Sequence, residues 1–194
     1  MLIYVTNRNL CKQDFLVQVN QLAKGKPHAI MLREKDLALD EYEALACQVK
    51  DICAHHNVPL IINQNISVAA KLELDHIQLS MENLRKYQSK LHPFSVIGAS
   101  VHSVQEAKEA VALGATYLIA GHIYSTDSKK GVPPRGLSFL KDVCDTVSIP
   151  VFAIGGIKKD HVKDLIATGA KGFCIMSESM TCLHPVELAR QFRG

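Results

Sequence analysis

The alternation of short apolar segments with longer amphipathic segments constrains the fold of this chain more than any other feature. Each apolar segment is too short for a buried helix, and none shows the strict polar–apolar alternation of a half-exposed strand. Parallel strands that are covered on both faces fit this pattern. The segments that we predict as strands are Leu2–Thr6, Ala29–Leu32, Leu60–Ile62, Ile77–Leu79, Ser95–Ala99, Tyr117–Ala120, Val151–Ile154 and Gly172–Met176.

Helical patterns separate these strands, and several of them have recognisable ends. Ser103 is followed three residues later by Glu106, which is typical of a helix N-terminus. Gly114 and Gly169 come just after apolar helical segments, where many helices end in the left-handed conformation that glycine adopts most readily. The clearest predicted helices are Leu39–His55, Ser103–Leu113, Lys159–Thr168 and Pro185–Phe192.

Eight strands with helices between them close most naturally into a (β/α)8 TIM barrel, which is an α/β fold. We therefore predict that residues 1–194 form one compact barrel domain, although most such barrels have at least roughly 200 residues. The alternative is an open doubly wound sheet. That fold would be expected to carry a glycine-rich phosphate-binding segment after its first strand, and the segment Thr6–Asn9 contains no glycine.

Composition and charge exclude several classes of function. The chain is 47% hydrophobic and 21% charged, as in an ordinary globular protein, and its formal net charge is only +3. Its basic residues do not form the stripe of a nucleic-acid-binding protein, and no apolar run approaches the ~18 residues of a membrane span. The cysteines form no C-x-x-C pair and no secretory leader is recognisable, so we expect reduced thiols, no metal site and a cytoplasmic protein.

A candidate proton-transfer site follows the sixth predicted strand. His122 comes directly after Gly121, at the carboxyl end of that strand, where barrels place catalytic residues. Histidine as a residue type gains and loses a proton near neutral pH. The polar loop that follows offers Thr126, Ser128 and Lys129 to an anion. We predict that His122 is catalytic; the alternative is a structural, hydrogen-bonded histidine.

Phosphate is expected to bind after the seventh and eighth strands, as it does in many barrels. Gly155 and Gly156 follow the seventh strand and would let backbone N–H groups approach an anion. Met176 ends the eighth predicted strand, and Ser177 directly after it is predicted to begin a short helix.

Two further groups of polar side chains follow predicted strands. His102 comes after the fifth strand and either lines the pocket or caps the following helix. Arg33, Glu34 and Lys35 follow the second strand. They form either a solvated charge cluster or a cationic site in which Arg33 and Lys35 bind a second anionic group.

The segments at the strand ends, taken in order, resemble the thiamine phosphate synthase superfamily. The resemblance extends from the first to the eighth strand and rests on Leu32–Lys35, Ile62–Asn63, Ser100–Ser103, Gly121–Lys129, Ala153–Ile157 and Met176–Ser177. It implies a (β/α)8 barrel that handles thiazole phosphates in thiamine biosynthesis. It is also compatible with a homodimer, because members of the family are often dimeric.

Departures from the synthase pattern indicate a particular branch of this family. The resemblance places Gln64 and Asn83 where the synthases have aspartates that hold Mg²⁺ beside a leaving pyrophosphate. Amides supply no compensating charge for this cation, and Glu82 stands one residue away from the expected position. His122 stands where the synthases have proline.

The Gly-His pair at positions 121 and 122 resembles the thiazole tautomerase branch. That resemblance implies an isomerase that needs no metal or cofactor. It would convert the initial carboxythiazole phosphate tautomer into the aromatic 2-(2-carboxy-4-methylthiazol-5-yl)ethyl phosphate, with His122 moving the proton. The residues expected to bind this ligand are Arg33, Lys35, His102, Thr126, Ser128, Lys129, Gly155, Gly156, Met176 and Ser177.

Two other functions remain open at the level of sequence. The first is a thiamine phosphate synthase with an altered Mg²⁺ site, which would condense pyrimidine diphosphate with thiazole phosphate. The second is a non-catalytic barrel that senses thiazole phosphate and regulates a partner.

Overall fold

The computed structural model describes residues 1–192, in which parallel strands follow one another around a closed barrel. Each strand is hydrogen-bonded to the next strand in the chain, in the order β1 to β8. The prediction of a TIM barrel is therefore confirmed. The strands are β1 (Leu2–Val5), β2 (Ala29–Leu32), β3 (Leu60–Asn63), β4 (His76–Ser80), β5 (Val96–Val101), β6 (Tyr117–Gly121), β7 (Val151–Ile154) and β8 (Gly172–Ile175).

Helices connect the strands, and most of the predicted helices agree with the structure to within one residue at each end. The helix Leu39–His55 has the predicted bounds, whereas the predicted helix Lys159–Thr168 consists of a 3-10 turn, Lys159–His161, followed by a shorter α-helix. The helices are α1 (Phe15–Lys24), α2 (Leu39–His55), α3 (Ile66–Lys71), α4 (Met81–Tyr87), α5 (Val104–Ala112), α6 (Gly136–Thr146), α7 (Val162–Ala167), α8 (Ser177–Thr181) and α9 (Pro185–Gln191). None of the helices in residues 1–192 is long and apolar enough to cross a membrane.

Burial of the strands explains why their sequences are apolar at successive positions. The strands β1, β2, β3, β6 and β8 are buried at every residue. A strand of a parallel barrel is covered by the barrel interior on one face and by helices on the other, so both faces select apolar side chains.

The predicted helix ends are confirmed in detail. The Ser103 hydroxyl accepts a hydrogen bond from the backbone N–H of Glu106 at 3.0 Å, at the start of α5. Gly114 and Gly169 have φ angles of 94° and 93°, which are unfavourable for other residues. Each glycine therefore ends a helical segment and turns the chain toward the next strand.

The described chain divides into two compact units. The first comprises Met1–His76 and the chain from Ile175 onward, and the second comprises Ile77–Cys174. The first unit contains Arg33 and Lys35, whereas the second contains His122 and the glycines that follow β7. The single domain expected from the sequence stays a prediction.

The packing around Gly98 in β5, within the second unit, leaves no room for a side chain. A Cβ atom at this position would overlap the Gln78 amide oxygen and the Tyr117 ring. Gln78 is 1% exposed and Tyr117 is 5% exposed, so neither can move into solvent without opening the core.

We predict that Gly98→Ala lowers the free energy of unfolding by about 1–3 kcal/mol, because overfilling a packed interior forces its side chains out of their preferred positions. Urea denaturation monitored by circular dichroism measures this change. As a control, Val111→Ala on the exposed side of α5 should change the free energy by no more than about 0.5 kcal/mol. Equal stability of Gly98→Ala and the unmodified protein would show that this region of the core is not tightly packed.

Candidate active site

His122 lies directly after the last residue of β6 and is largely enclosed by the second unit. Its exposed fraction is 8%, so it is neither a surface histidine nor a fully inaccessible one. The preceding strand is buried throughout, which holds the backbone at His122 in a defined position. The sequence prediction that a histidine stands at the end of β6 agrees with the structure, while its catalytic role stays a prediction.

The glycines after β7 let the segment that contains His122 lie close beside them. Ile123 N donates to Ile154 O at 2.9 Å, and Tyr124 N donates to Gly155 O at 3.0 Å. A Cβ atom at Gly155 would overlap His122, and one at Gly156 would lie 2.9 Å from the Tyr124 Cβ. Both glycines also have positive φ angles, 101° and 65°. They therefore have a packing function in addition to the phosphate-binding function predicted from the sequence.

The His122 ring contacts the loop that follows it. Its Nε2 atom lies 3.2 Å from the backbone carbonyl oxygen of Val132, a residue whose own side chain points largely into solvent. This contact could not be foreseen from the sequence, because the partner is a backbone atom ten residues away.

The loop residues that were predicted to bind an anion lie mostly in solvent. Ser128 and Lys129 are exposed within a 3-10 turn that spans Asp127–Lys129. Thr126 is half-buried, and its hydroxyl oxygen accepts a hydrogen bond from Ser128 N at 3.4 Å. The side chains are accessible to a ligand, but their binding role stays a prediction.

His102 lies at the start of α5 and is paired with Glu106. The His102 backbone N–H donates to the Glu106 Oε2 at 2.6 Å, and the His102 Nδ1 lies 3.4 Å from the same oxygen. About half of the His102 side chain is exposed. The residue that caps α5 is Ser103, whose hydroxyl accepts from Glu106 N, and His102 is held beside it through Glu106. Both roles that the sequence left open for His102 stay predictions.

Arg33 in the first unit is a half-buried cation with no salt-bridge partner among residues 1–192. Its backbone N–H donates to the Thr6 hydroxyl at 3.0 Å, and its Nη1 lies 3.9 Å from the Met176 sulfur. Burial lowers the pKa of the Arg33 guanidinium, and the nearby Glu34 carboxylate opposes this change. Arg33 is therefore partly desolvated without direct neutralisation, which suits binding of an anion.

Lys35, Met176 and Ser177 are placed near the ends of β2 and β8 as predicted. Lys35 is exposed, and Met176 is half-buried and contacts Arg33. Ser177 is exposed and begins α8, so the predicted short helix is confirmed.

Glu34 is a buried structural residue, and the interpretation of this segment as a solvated charge cluster is wrong for it. Its carboxylate accepts hydrogen bonds from the Thr6 hydroxyl at 2.6 Å and from the Arg8 backbone N–H at 2.9 Å. The Arg8 guanidinium also bonds Asp36 at 2.6 Å, which lowers the pKa of the Asp36 carboxyl to about 2. The sequence does not reveal this network, because its members follow two different strands. The polar residues after β1 are the one feature of the sequence that indicates a polar contact there.

The donor atoms near β3 and β4 do not fit the Mg²⁺ site of the synthase pattern. Gln64 follows β3 and Asn83 lies in the first turn of α4, and each offers an uncharged amide. Glu82 is exposed on the first turn of α4. Magnesium sites normally include at least one carboxylate together with substrate phosphates, and these amides supply no negative charge.

Comparison with known proteins identifies the family. Residues 2–178 match the family model described as "Thiamine monophosphate synthase". The chain belongs to this family. The superfamily that its motifs resemble is thereby confirmed.

Relatives and a solved structure agree with this assignment. A thiamine-phosphate synthase of Clostridium acetobutylicum is 38% identical over 91% of this chain and 85% of its own length. A protein named thiamine-phosphate synthase 2 of Streptococcus pneumoniae is 36% identical over 92% of this chain and 87% of its own length. The structure of a thiamine phosphate pyrophosphorylase from Pyrococcus furiosus superimposes with a TM-score of 0.88 and 28% identity, over 99% of this chain and 93% of that chain.

These names favour the synthase alternative over the tautomerase assignment. They support a member of an enzyme family of thiamine biosynthesis, and they do not support the isomerase class.

We predict that Glu34→Ala lowers the free energy of unfolding by about 1–3 kcal/mol, because it leaves the buried Thr6 hydroxyl and the Arg8 N–H without an acceptor. Chemical denaturation measures the loss. Asp51→Ala, which removes an exposed carboxylate from α2, is the control and should change stability by at most about 0.5 kcal/mol. A Glu34→Ala protein as stable as this control would contradict the structural role of Glu34.

Proposed function

We propose that this protein is a thiazole tautomerase, which converts the initial carboxythiazole phosphate tautomer into its aromatic isomer. The observation that carries the proposal is the enclosed imidazole of His122 at the end of β6, held through Nε2 by a backbone carbonyl. Proton transfer needs a titratable group whose position is restrained in this way.

The reaction consists of two proton transfers. One proton leaves the ring carbon that bears the carboxylate, and one proton is added to the exocyclic carbon. The resulting aromatic ring makes the conversion favourable. In the proposed mechanism the His122 imidazole accepts the first proton and returns a proton in the second step, so the enzyme ends in its starting state. General acid–base catalysis of this kind contributes typically ~10²–10⁴ in rate.

The remaining groups are proposed to bind the anionic parts of the ligand. The backbone N–H groups around Gly156, together with Thr126 and Ser128 of the same unit, are proposed to bind the phosphate. A cationic side chain is proposed to face the carboxylate. The candidates for this role are Arg33, Lys35 and Lys129, of which Lys129 belongs to the same unit as His122.

A second candidate function is thiamine phosphate synthesis. It is favoured by the names of the relatives, which are thiamine-phosphate synthases. The amides of Gln64 and Asn83 argue against it, because the Mg²⁺ that accompanies a leaving pyrophosphate is normally bound by carboxylates. Both functions use a thiazole phosphate as ligand. The first moves protons within this ligand, whereas the second condenses it with pyrimidine diphosphate.

Two assays on the same preparation separate these functions. We expect rapid conversion of the carboxythiazole phosphate tautomer in the presence of EDTA, followed by NMR. We expect little condensation of pyrimidine diphosphate with thiazole phosphate, with or without Mg²⁺. Efficient Mg²⁺-dependent condensation together with no acceleration of tautomerisation would replace the first proposal by the second.

We predict that His122→Ala reduces tautomerisation by about two to four orders of magnitude, because it removes the proton-transferring group. Its affinity for the aromatic product, measured by calorimetry, should change by only a few fold. His92→Ala, which removes an exposed histidine of the same unit, is the matched control and should retain full activity. Unchanged turnover in His122→Ala would remove this residue from the mechanism.

A further inference from the structure

We infer that the loop after β6 selects one tautomer of His122, so that Nδ1 is the nitrogen that exchanges a proton with the ligand. The tautomer follows from the structure alone, whereas its catalytic use rests on the proposed function.

The first step concerns the Nε2 atom of His122. It lies 3.2 Å from the carbonyl oxygen of Val132. A carbonyl oxygen can only accept a hydrogen bond, so Nε2 must carry the hydrogen. A neutral imidazole has one N–H, and its lone pair must then be on Nδ1.

The second step concerns the accessibility of Nδ1. This atom forms no hydrogen bond with any residue that the structure describes, and it is not among the fully buried polar atoms that lack a partner. Part of its surface is therefore accessible to solvent, although the residue as a whole is largely enclosed. Nδ1 thus has the lone pair and the solvent exposure that a general base requires.

The third step concerns the position of the Val132 carbonyl, which the backbone determines. Arg135 N donates to His122 O at 2.9 Å, and Gly136 N donates to Ile123 O at 3.1 Å. The returning end of the loop is thus tied to the backbone carbonyls of His122 and Ile123. The Val132 side chain is 52% exposed, so side-chain packing contributes little to placing its carbonyl.

Gly131 gives the loop the turn that this arrangement requires. Its φ angle is 79°, a conformation that glycine adopts easily and other residues adopt at a cost. A Cβ atom at Gly131 would contact nothing within 4 Å, so alanine would disturb the backbone conformation without a steric clash. Substitution of Gly131 by alanine should therefore displace the carbonyl of Val132 and leave the core intact.

The arrangement suits both charge states of the ring during catalysis. When Nδ1 accepts a proton from the ligand carbon, the ring becomes an imidazolium and Nε2–H continues to donate to Val132 O. That hydrogen bond becomes charge-assisted and therefore stronger. When Nδ1 returns the proton to the second carbon, the original neutral tautomer is restored.

The test is long-range ¹H–¹⁵N NMR of histidine-labelled protein without ligand, at a pH where the His122 ring is neutral. We expect His122 to show protonated Nε2 and unprotonated Nδ1. Gly131→Ala should make the other tautomer detectable and should lower kcat for tautomerisation by at least about tenfold with little change in KM, because an imidazole in the wrong tautomer cannot act as the base. Lys130→Ala alters an exposed side chain of the same loop and should leave both measurements unchanged.

The outcomes separate the inference from the proposed function. A protonated Nδ1 in the unmodified protein would overturn the inference, whatever reaction is catalysed. A Gly131→Ala protein with an unchanged tautomer and unchanged kcat would overturn the role of the loop. If Nε2 is protonated as inferred but the unmodified protein does not accelerate tautomerisation, the proposed function fails while the tautomer assignment stands.

Discussion

The close approach of the backbone after β6 to the backbone after β7 is the constraint on which the candidate active site depends. Two hydrogen bonds join these segments, and the absence of a side chain at Gly155 leaves the space that His122 occupies. The strand before His122 and the loop after it then determine where the imidazole lies and, by our inference, which of its ring nitrogens carries the hydrogen. The glycines after β7 thus act on the site through packing, independently of any phosphate that they bind.

The sequence was informative about the elements of the fold, and less so about contacts between distant residues. Apolar runs located the strands because parallel strands are buried on both faces, and α2 was predicted with its observed bounds. The bond between Thr6 and Glu34 joins residues 28 positions apart, and the bond from His122 to Val132 ends on a backbone oxygen. Neither contact leaves a periodic or compositional trace, so both required the structure.

The assignment of a reaction depends on a few residues within a shared fold. Identities of 36% and 38% with thiamine-phosphate synthases establish the family and favour the synthase reaction by name. Our proposal of a different reaction rests on the side chains at three positions: amides at Gln64 and Asn83, and an imidazole at His122. Members of a fold family often differ in reaction through such changes at strand ends, while the barrel itself is retained.

The most direct test of this account is a crystal structure with the aromatic carboxythiazole phosphate bound. The account predicts that the His122 ring faces the heterocycle, with Nδ1 within about 3–3.5 Å of one of the two carbons that exchange protons and with Nε2 still bonded to Val132. A His122 ring turned away from the heterocycle, with another titratable side chain against those carbons, would contradict it.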